Sequence, residues 1–299
     1  MATDLEIVRR RRWGVWLSSA LAVGAIGLFG HAVVTNPALA WPTVAQYLFH
    51  PAILRGLLTT LLLTGCILVG AILVGTIVAL MRLSSSRLLR ALSATYVWFF
   101  RGVPALIQLI FWFNLSLIVP TLALELPWFG QVWSVRTNDI MSPFISAVIA
   151  LALCEAGYMA EIIRAGIASV PAGQSEAASS LGMTYGRRLR RIVLPQAMRF
   201  IVPPTGNEAI SLLKLTSLVT YIAVDDLFYA AQSIYARTFE TVPLLLVVAF
   251  WYLATVSILS LGQYHLERFY GRQERGASGS WSAYLASRAL GVRRVGLAS

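Results

Sequence analysis

Long apolar segments separated by short polar stretches dominate this chain of 299 residues. An α-helix needs roughly 20 apolar residues to cross a hydrocarbon core about 30 Å thick, and six segments approach or exceed that length. The predicted spans cover residues 13–34, 53–81, 92–119, 143–163, 196–224 and 242–266. The pattern therefore predicts an all-α integral membrane protein with about six transmembrane helices.

Composition and charge agree with a membrane protein. Apolar residues make up 58% of the chain and charged residues 12%, whereas soluble domains carry about 25% charged residues. Nineteen of the 24 basic residues lie on one side of the six-span arrangement. Because basic residues flanking spans are retained in the cytoplasm, both termini are expected there. The net charge of +11 thus follows from topology and gives no reason to expect nucleic-acid binding.

The first 52 residues are expected to form a cytoplasmic N-terminus, an extra transmembrane helix and an outer linker. Four arginines, an apolar stretch and the small residues Ala38-Leu39-Ala40 also resemble a secretory signal with a cleavage site. A signal core is typically 7 to 15 residues long, and this stretch is about 22 residues long. The length favours a retained helix, and removal of the segment remains the alternative.

The chain has few residues of the kinds that catalyse reactions or bind metals and phosphates. Cys66 and Cys154 fall inside apolar spans, and the three histidines are far apart in sequence. The chain has no Gly-x-x-x-x-Gly-Lys-Ser/Thr phosphate loop, and its only lysine, Lys214, lies in a predicted span. We therefore expect no catalytic residues, metal site or bound cofactor, and no ATP hydrolysis by this chain.

One polar, arginine-rich interruption between spans four and five has a defined spacing. Its fixed positions are Glu176, Ala177, Ala178, Leu181, Gly182, Ile192, Leu194 and Pro195. A short helix is expected to carry both alanines and Leu181 on one side and to end at Gly182 in a left-handed cap. Thr184 can cap a second short helix, and Pro195 suits the first turn of the next span.

That spacing resembles the cytoplasmic coupling loop of the membrane subunits of ABC importers. Residues 96–108, YVWFFRGVPALIQ, and 214–218, KLTSL, are similar to segments of the polar amino acid permease branch. The resemblance covers residues 53–272 and implies a type I importer core of five spans, with the coupling loop at 171–195. The span at 13–34 is then an addition, and residues 273–299 are expected to be a weakly ordered cytoplasmic tail.

The resemblance implies a permease subunit that moves polar amino acids across the bacterial inner membrane by alternating access. Its expected partners are two cytoplasmic ABC ATPase subunits that use ATP-Mg, a second identical or homologous permease, an extracytoplasmic solute-binding protein and membrane lipid. Three alternatives stay open. These are a secondary transporter or channel without an ATPase, an importer permease for another small solute such as an opine, and a membrane enzyme.

Polar groups inside the spans are candidates for the substrate pathway, because intramembrane charges usually face the protein interior. The candidates are Glu155, Gln108, Asn207, Glu208 and Lys214. Arg101 is a further polar group in these spans and is expected near the cytoplasmic end of its helix. The competing interpretation is that such groups hold helices together, as Glu161 and Arg164 could by pairing at i, i+3.

Two outer segments, 124–142 and 225–240, mix acidic and aromatic residues and are expected to face a binding protein. Asp225 and Asp226 are the docking candidates. Alternatively, the aromatic residues of 225–240 mark a helix at the membrane interface.

Overall fold

The structure is a computed structural model that describes the backbone of residues 13–126 and 130–289. The side chains described are those of residues 17–123 and 131–270. Arg9–Arg12, which contribute to the predicted topology, and the last ten residues of the predicted tail lie outside the described residues.

The first half of the chain contains eight helices and one β-hairpin within those described ranges. Its helices are α1 (Trp13–Thr35), α2 (Trp41–Leu48), α3 (Pro51–Leu83), α4 (Arg87–Gly102), α5 (Ala105–Phe113), α6 (Leu115–Ile118), α7 (Thr137–Ile140) and α8 (Pro143–Ala168). The strands β1 (Thr121–Leu126) and β2 (Gly130–Arg136) pair antiparallel between α6 and α7. A 3₁₀ turn at Pro37–Leu39 joins α1 to α2.

The second half begins with the polar interruption and ends in one very long helix. Its helices are α9 (Ala172–Ser180), α10 (Tyr185–Arg188), α11 (Leu194–Leu215), α12 (Leu227–Thr238) and α13 (Thr241–Ala289). A π-helical turn at Leu189–Val193 connects α10 to α11, and a 3₁₀ helix at Thr216–Ile222 follows α11.

The predicted number of about six transmembrane spans is not confirmed. In the described residues, four helical segments are long and apolar enough to cross a membrane: Leu17–Thr35, Pro51–Leu83, Pro143–Ala168 and Thr241–Tyr270. The third predicted span is a pair, α4 and α5, bent by 99°. The fifth corresponds to α11, where Pro203, Pro204, Glu208 and Lys214 interrupt the apolar pattern.

Small residues allow α3 and α8 to pack closely at the centre of the molecule. A Cβ atom added at Gly75 would lie 2.7 Å from the Cβ of Met159, and one at Gly70 would lie 3.0 Å from the Cβ of Ala152. Close backbone approach through small residues is the usual basis of helix packing in membranes. Around this contact, Leu63, Ile67, Leu109, Ala147 and Leu151 form a buried core. By contrast, no residue of the span in α1 is buried within the chain.

Two features differ from the predictions. The expectation of a purely helical fold missed the hairpin. Its turn signals were present, since Pro120 separates the strand sequence TLALEL from the predicted span and Pro127 separates it from GQVWSVR. The backbone of residues 273–289 continues α13 as a helix, where a weakly ordered tail was expected. No proline follows Pro243 to stop that helix.

Candidate functional site

The bend between α4 and α5 is held by a glutamine. Pro104 has no N–H and cannot donate to the carbonyl oxygen of Phe100, four residues earlier. The amide Nε2 of Gln108 supplies that hydrogen bond at 2.9 Å and donates a second one to Val103 O at 2.8 Å. Gln108 is buried and does not line the neighbouring cavity. In the structure, Gln108, a predicted pathway residue, holds the bend and does not form part of the cavity wall.

A cavity of about 450 Å³ opens beside the bend, between α4, α8 and α11. Its polar and charged lining residues are Arg101, Cys154, Glu155, Tyr158, Glu208 and Ser211. Glu155 lies near the middle of α8 and is buried, and its Oε1 atom has no hydrogen-bond partner among the described residues. Glu208 on α11 lines the same cavity as Glu155. The cavity can thus offer two carboxyl groups to a cationic group.

Arg101 is the positive group of this cavity. It lies in the last turn of α4, next to the bend and about 21 Å along the helix from Arg87. Its guanidinium carbon lies 4.7 Å from the centre of the Tyr158 ring, within range of a cation–π interaction. Gly157 leaves room for it, since a Cβ there would lie 3.1 Å from Arg101 Cγ.

Asn207 and Lys214 lie on a different face of α11 from Glu208. Successive helical residues are rotated by about 100°, so residues 207 and 214 share one face while 208, 211, 212 and 215 share another. The second face lines the cavity. Asn207 instead donates to Glu267 Oε1 at 3.3 Å, and Lys214 is exposed. Two of the five predicted pathway residues, Glu155 and Glu208, therefore line the cavity. The helical periodicity of α11 could have separated Glu208 from Asn207 and Lys214.

The polar interruption presents a small exposed surface. Helix α9 ends in a Schellman motif: Met183 N donates to Ala178 O at 3.2 Å, and Gly182 N donates to Ser179 O at 2.9 Å. Gly182 has φ +75, which confirms the predicted left-handed cap. The exposed fraction of Leu181 is 83%, and Glu176 and Ala177 are also exposed. Ala178 is buried, so the two alanines do not share one side as predicted.

The chain after Gly182 re-enters the membrane domain through two turns. Thr184 precedes α10 as predicted, but its side chain makes no capping hydrogen bond. Pro195 lies in the first turn of α11, as predicted. The π-helical turn between them, which includes Ile192, was missed. Since Pro195 cannot donate to the carbonyl of Arg191, a wider turn is favoured directly before it.

The two docking candidates differ in exposure. Asp225 is exposed, whereas Asp226 is completely buried. Asp226 Oδ1 accepts a hydrogen bond from Tyr229 N at 2.9 Å and so caps α12. The next residue, Leu227, donates its N–H to Thr60 Oγ1 on α3. Asp226 is thus unavailable as a surface contact, because its carboxyl group is buried and caps α12.

The long apolar helices, the central charged cavity and the exposed polar interruption define a multi-pass membrane protein with the parts of a transport subunit. Residues 71–272 match the family described as binding-protein-dependent transport system inner membrane component. The chain belongs to that family and is a permease component of the inner membrane.

Curated relatives cover most of the chain. It is 40% identical over 281 residues to the arginine transport system permease protein ArgU of Corynebacterium glutamicum, covering 93% of this chain and 86% of ArgU. It is 39% identical to the L-cystine transport system permease protein TcyB of Bacillus subtilis, covering 79% of this chain and 94% of TcyB. The glutamate/aspartate import permease protein GltK of Escherichia coli is 38% identical, covering 76% of this chain and 96% of GltK.

The fold is also found in solved transporters. A crystal structure of an amino acid ABC transporter with histidines superposes with a TM-score of 0.63 at 32% identity, covering 76% of this chain and 97% of that one. An inward-facing structure of the MetNI methionine ABC transporter gives a TM-score of 0.60 at 17% identity, covering 73% of this chain and 96% of that one. The second likeness concerns the fold alone.

Proposed function

We propose that this chain is the translocation subunit of an ATP-driven importer for polar amino acids. The proposal rests most directly on one observation, that Glu155, Glu208 and Arg101 line the same cavity. A zwitterion needs an acceptor for its ammonium group and a donor for its carboxylate, and charge-assisted hydrogen bonds are the stronger ones. The names of relatives that carry arginine, cystine or glutamate support the same substrate class.

The polar interruption is the proposed contact with a cytoplasmic ATPase. Glu176, Ala177 and Leu181 form its exposed surface, and Gly182, Ile192, Leu194 and Pro195 shape the return into α11. The polar interruption leads directly into α11, and one face of α11 lines the charged cavity. Movement of the segment by an ATPase would therefore shift the cavity wall, which is the mechanical requirement of alternating access.

The complete machine would contain two ATPase subunits that use ATP-Mg, a second permease and an extracytoplasmic binding protein. We place both termini and the arginine-rich boundaries in the cytoplasm, from the distribution of basic residues. Asp225 and the hairpin β1–β2 would then face the binding protein. This chain would contribute the substrate pathway and the segment that couples it to the ATPase, and the ATPase subunits would hydrolyse ATP.

Association with an ATPase can be tested by purifying the tagged chain from its native membranes and measuring co-purifying Mg-ATP hydrolysis. We expect Leu181→Asp to abolish that activity, because a charge replaces the exposed apolar contact of α9. Phe239→Asp is the matched control, since Phe239 is 88% exposed in a predicted outer segment. Equal ATPase recovery with Leu181→Asp and the unmodified chain would contradict the proposal.

A further inference from the structure

A second cavity, of about 680 Å³, lies where α3 ends, α4 begins and the polar interruption returns to the membrane domain. Its lining consists of Ile77, Leu80, Met81, Leu83, Ser84, Ser85, Leu89, Tyr185 and Leu189. Most of these side chains are apolar, and the two serines lie at the end of α3. The cavity shares no lining residue with the charged one beside the bend.

Two guanidinium groups contact residues that line this cavity, and together they form what we call its rim. Arg90 Nη1 donates to the carbonyl oxygens of Ser84 at 2.9 Å and Ser85 at 3.0 Å, and both serines line the cavity. The guanidinium carbon of Arg188 lies 5.5 Å from the centre of the Tyr185 ring, another lining residue. Arg188 also donates to Ser179 Oγ.

Neither arginine is neutralised by an acidic side chain. In the described part of the chain, ion pairs join only Arg136 to Asp139 and Arg164 to Glu161. The Ser84 and Ser85 carbonyls occupy one nitrogen of Arg90, which leaves further N–H donors of its guanidinium available. The rim thus presents positive charge to an anion from outside the chain.

The depth of the cavity decides what kind of anion fits. Ile77 and Leu80 belong to the apolar span Pro51–Leu83, whereas Ser84 and Ser85 mark its polar boundary. From Ile77 to Ser84 is about 10 Å along the helix. An occupant must therefore be apolar at the depth of the hydrocarbon and anionic at the boundary. Basic pockets between transmembrane helices on the cytoplasmic side are known to bind anionic lipid headgroups.

We infer that this cavity is a binding site for an anionic phospholipid, with an acyl chain against Ile77, Leu80 and Leu189 and the phosphate at Arg90 and Arg188. Such a lipid bridges the α3–α4 junction and the segment that contains Tyr185 and Leu189. The lipid thereby connects the end of α3 to the polar interruption, which is the segment proposed to move. The inference does not depend on which solute the importer carries.

Native mass spectrometry of the full chain in detergent tests the site. Phosphatidylglycerol and phosphatidylcholine with identical acyl chains are titrated separately. We expect the unmodified chain to retain phosphatidylglycerol at a concentration at least tenfold lower than phosphatidylcholine. Arg90→Gln combined with Arg188→Gln should weaken phosphatidylglycerol retention at least fivefold. Arg55→Gln, at the opposite end of α3, is the matched control and should leave it unchanged.

Several results would overturn the inference. Equal retention of the two lipids by the unmodified chain would overturn it. This comparison uses no variant, so its outcome does not depend on whether the double variant folds. An equal loss in Arg55→Gln would indicate general charge attraction rather than a site. Competition by soluble glycerol phosphate at the same concentration as the lipid would indicate an anion site without an acyl chain. Dimers that retain no phosphatidylglycerol, beside monomers that do retain it, would indicate that a second copy fills the cavity.

Discussion

Single side chains in this protein replace backbone interactions that the sequence itself removes. Pro104 deprives the carbonyl of Phe100 of its helical donor, and the buried amide of Gln108 provides the substitute four residues later. An unsatisfied buried carbonyl would cost about 1 to 3 kcal/mol. The bend that positions Arg101 beside Glu155 is thus a stable feature of the fold.

The buried carboxyl group of Asp226 should make the stability of the protein depend on pH. Burial raises the pKa of its carboxyl group to about 6, and the neighbouring Asp225 acts in the same direction, while hydrogen bonds from backbone N–H groups oppose the shift. A folded-state pKa above the unfolded one means that ionisation of Asp226 costs stability as pH rises from about 4 to about 6. That cost then stays constant above pH 6.

The variant Asp226→Asn keeps a side-chain oxygen to cap α12 but cannot ionise. Its melting temperature in detergent should match that of the unmodified chain near pH 4 and exceed it above pH 6, by the equivalent of about 2 to 3 kcal/mol. Asp225→Asn, at an exposed site, should show no comparable divergence with pH. A constant difference between Asp226→Asn and the unmodified chain across this range would disprove the assignment.

At the scale of elements, the contact between α3 and α8 depends on glycine. A Cβ at Gly75 would meet Met159 Cβ at 2.7 Å and Ala156 O at 3.1 Å, and neither atom can move without the helix. Gly75→Ala should therefore force the helices apart and cost about 1 to 3 kcal/mol, as overpacking usually does.

Gly65→Ala is the matched control on the same helix, because no atom lies within 4 Å of its added Cβ. It should leave stability unchanged or slightly higher, since alanine is the better helix former. Thermal unfolding of both variants in the same detergent provides the comparison. Equal melting temperatures for the two variants would show that α3 and α8 are not packed as described.

The sequence predicts helices better where the apolar pattern is long than where short polar elements compete. The bounds of α1, α3 and α8 follow from length and apolar content. The bend at Pro104 and the hairpin β1–β2 lie inside or beside apolar segments, where hydropathy cannot reveal a change of direction. The Schellman cap at Gly182 was predictable because glycine readily adopts positive φ.

The residues of the charged cavity were likewise only partly predictable from the sequence. Charged residues in a span are expensive in lipid and usually point inward. This argument selected Glu155 and Glu208, which line the cavity, but also Lys214, which is exposed and does not line it. Which polar residues meet depends on helix rotation and on the bend of α4, and these are set by packing between segments distant in sequence. Asn207 shows this dependence, because its hydrogen-bond partner Glu267 lies 60 residues later in the chain. Gln108 and Asp226 instead bond to backbone groups within eight residues, but their burial could not be read from hydropathy.

For the molecule as a whole, the central claim is ATP-driven passage of amino acids past Glu155. The direct measurement is uptake of labelled arginine, glutamate, glutamine and histidine into liposomes that contain the chain with its ATPase and binding protein. Uptake of at least one of these should require ATP and should fall at least tenfold in Glu155→Gln, while basal ATP hydrolysis stays within twofold. Glu161→Gln, on the same helix outside the cavity, should retain most uptake. Uptake that persists without ATP, or that is unchanged in Glu155→Gln, would contradict the account.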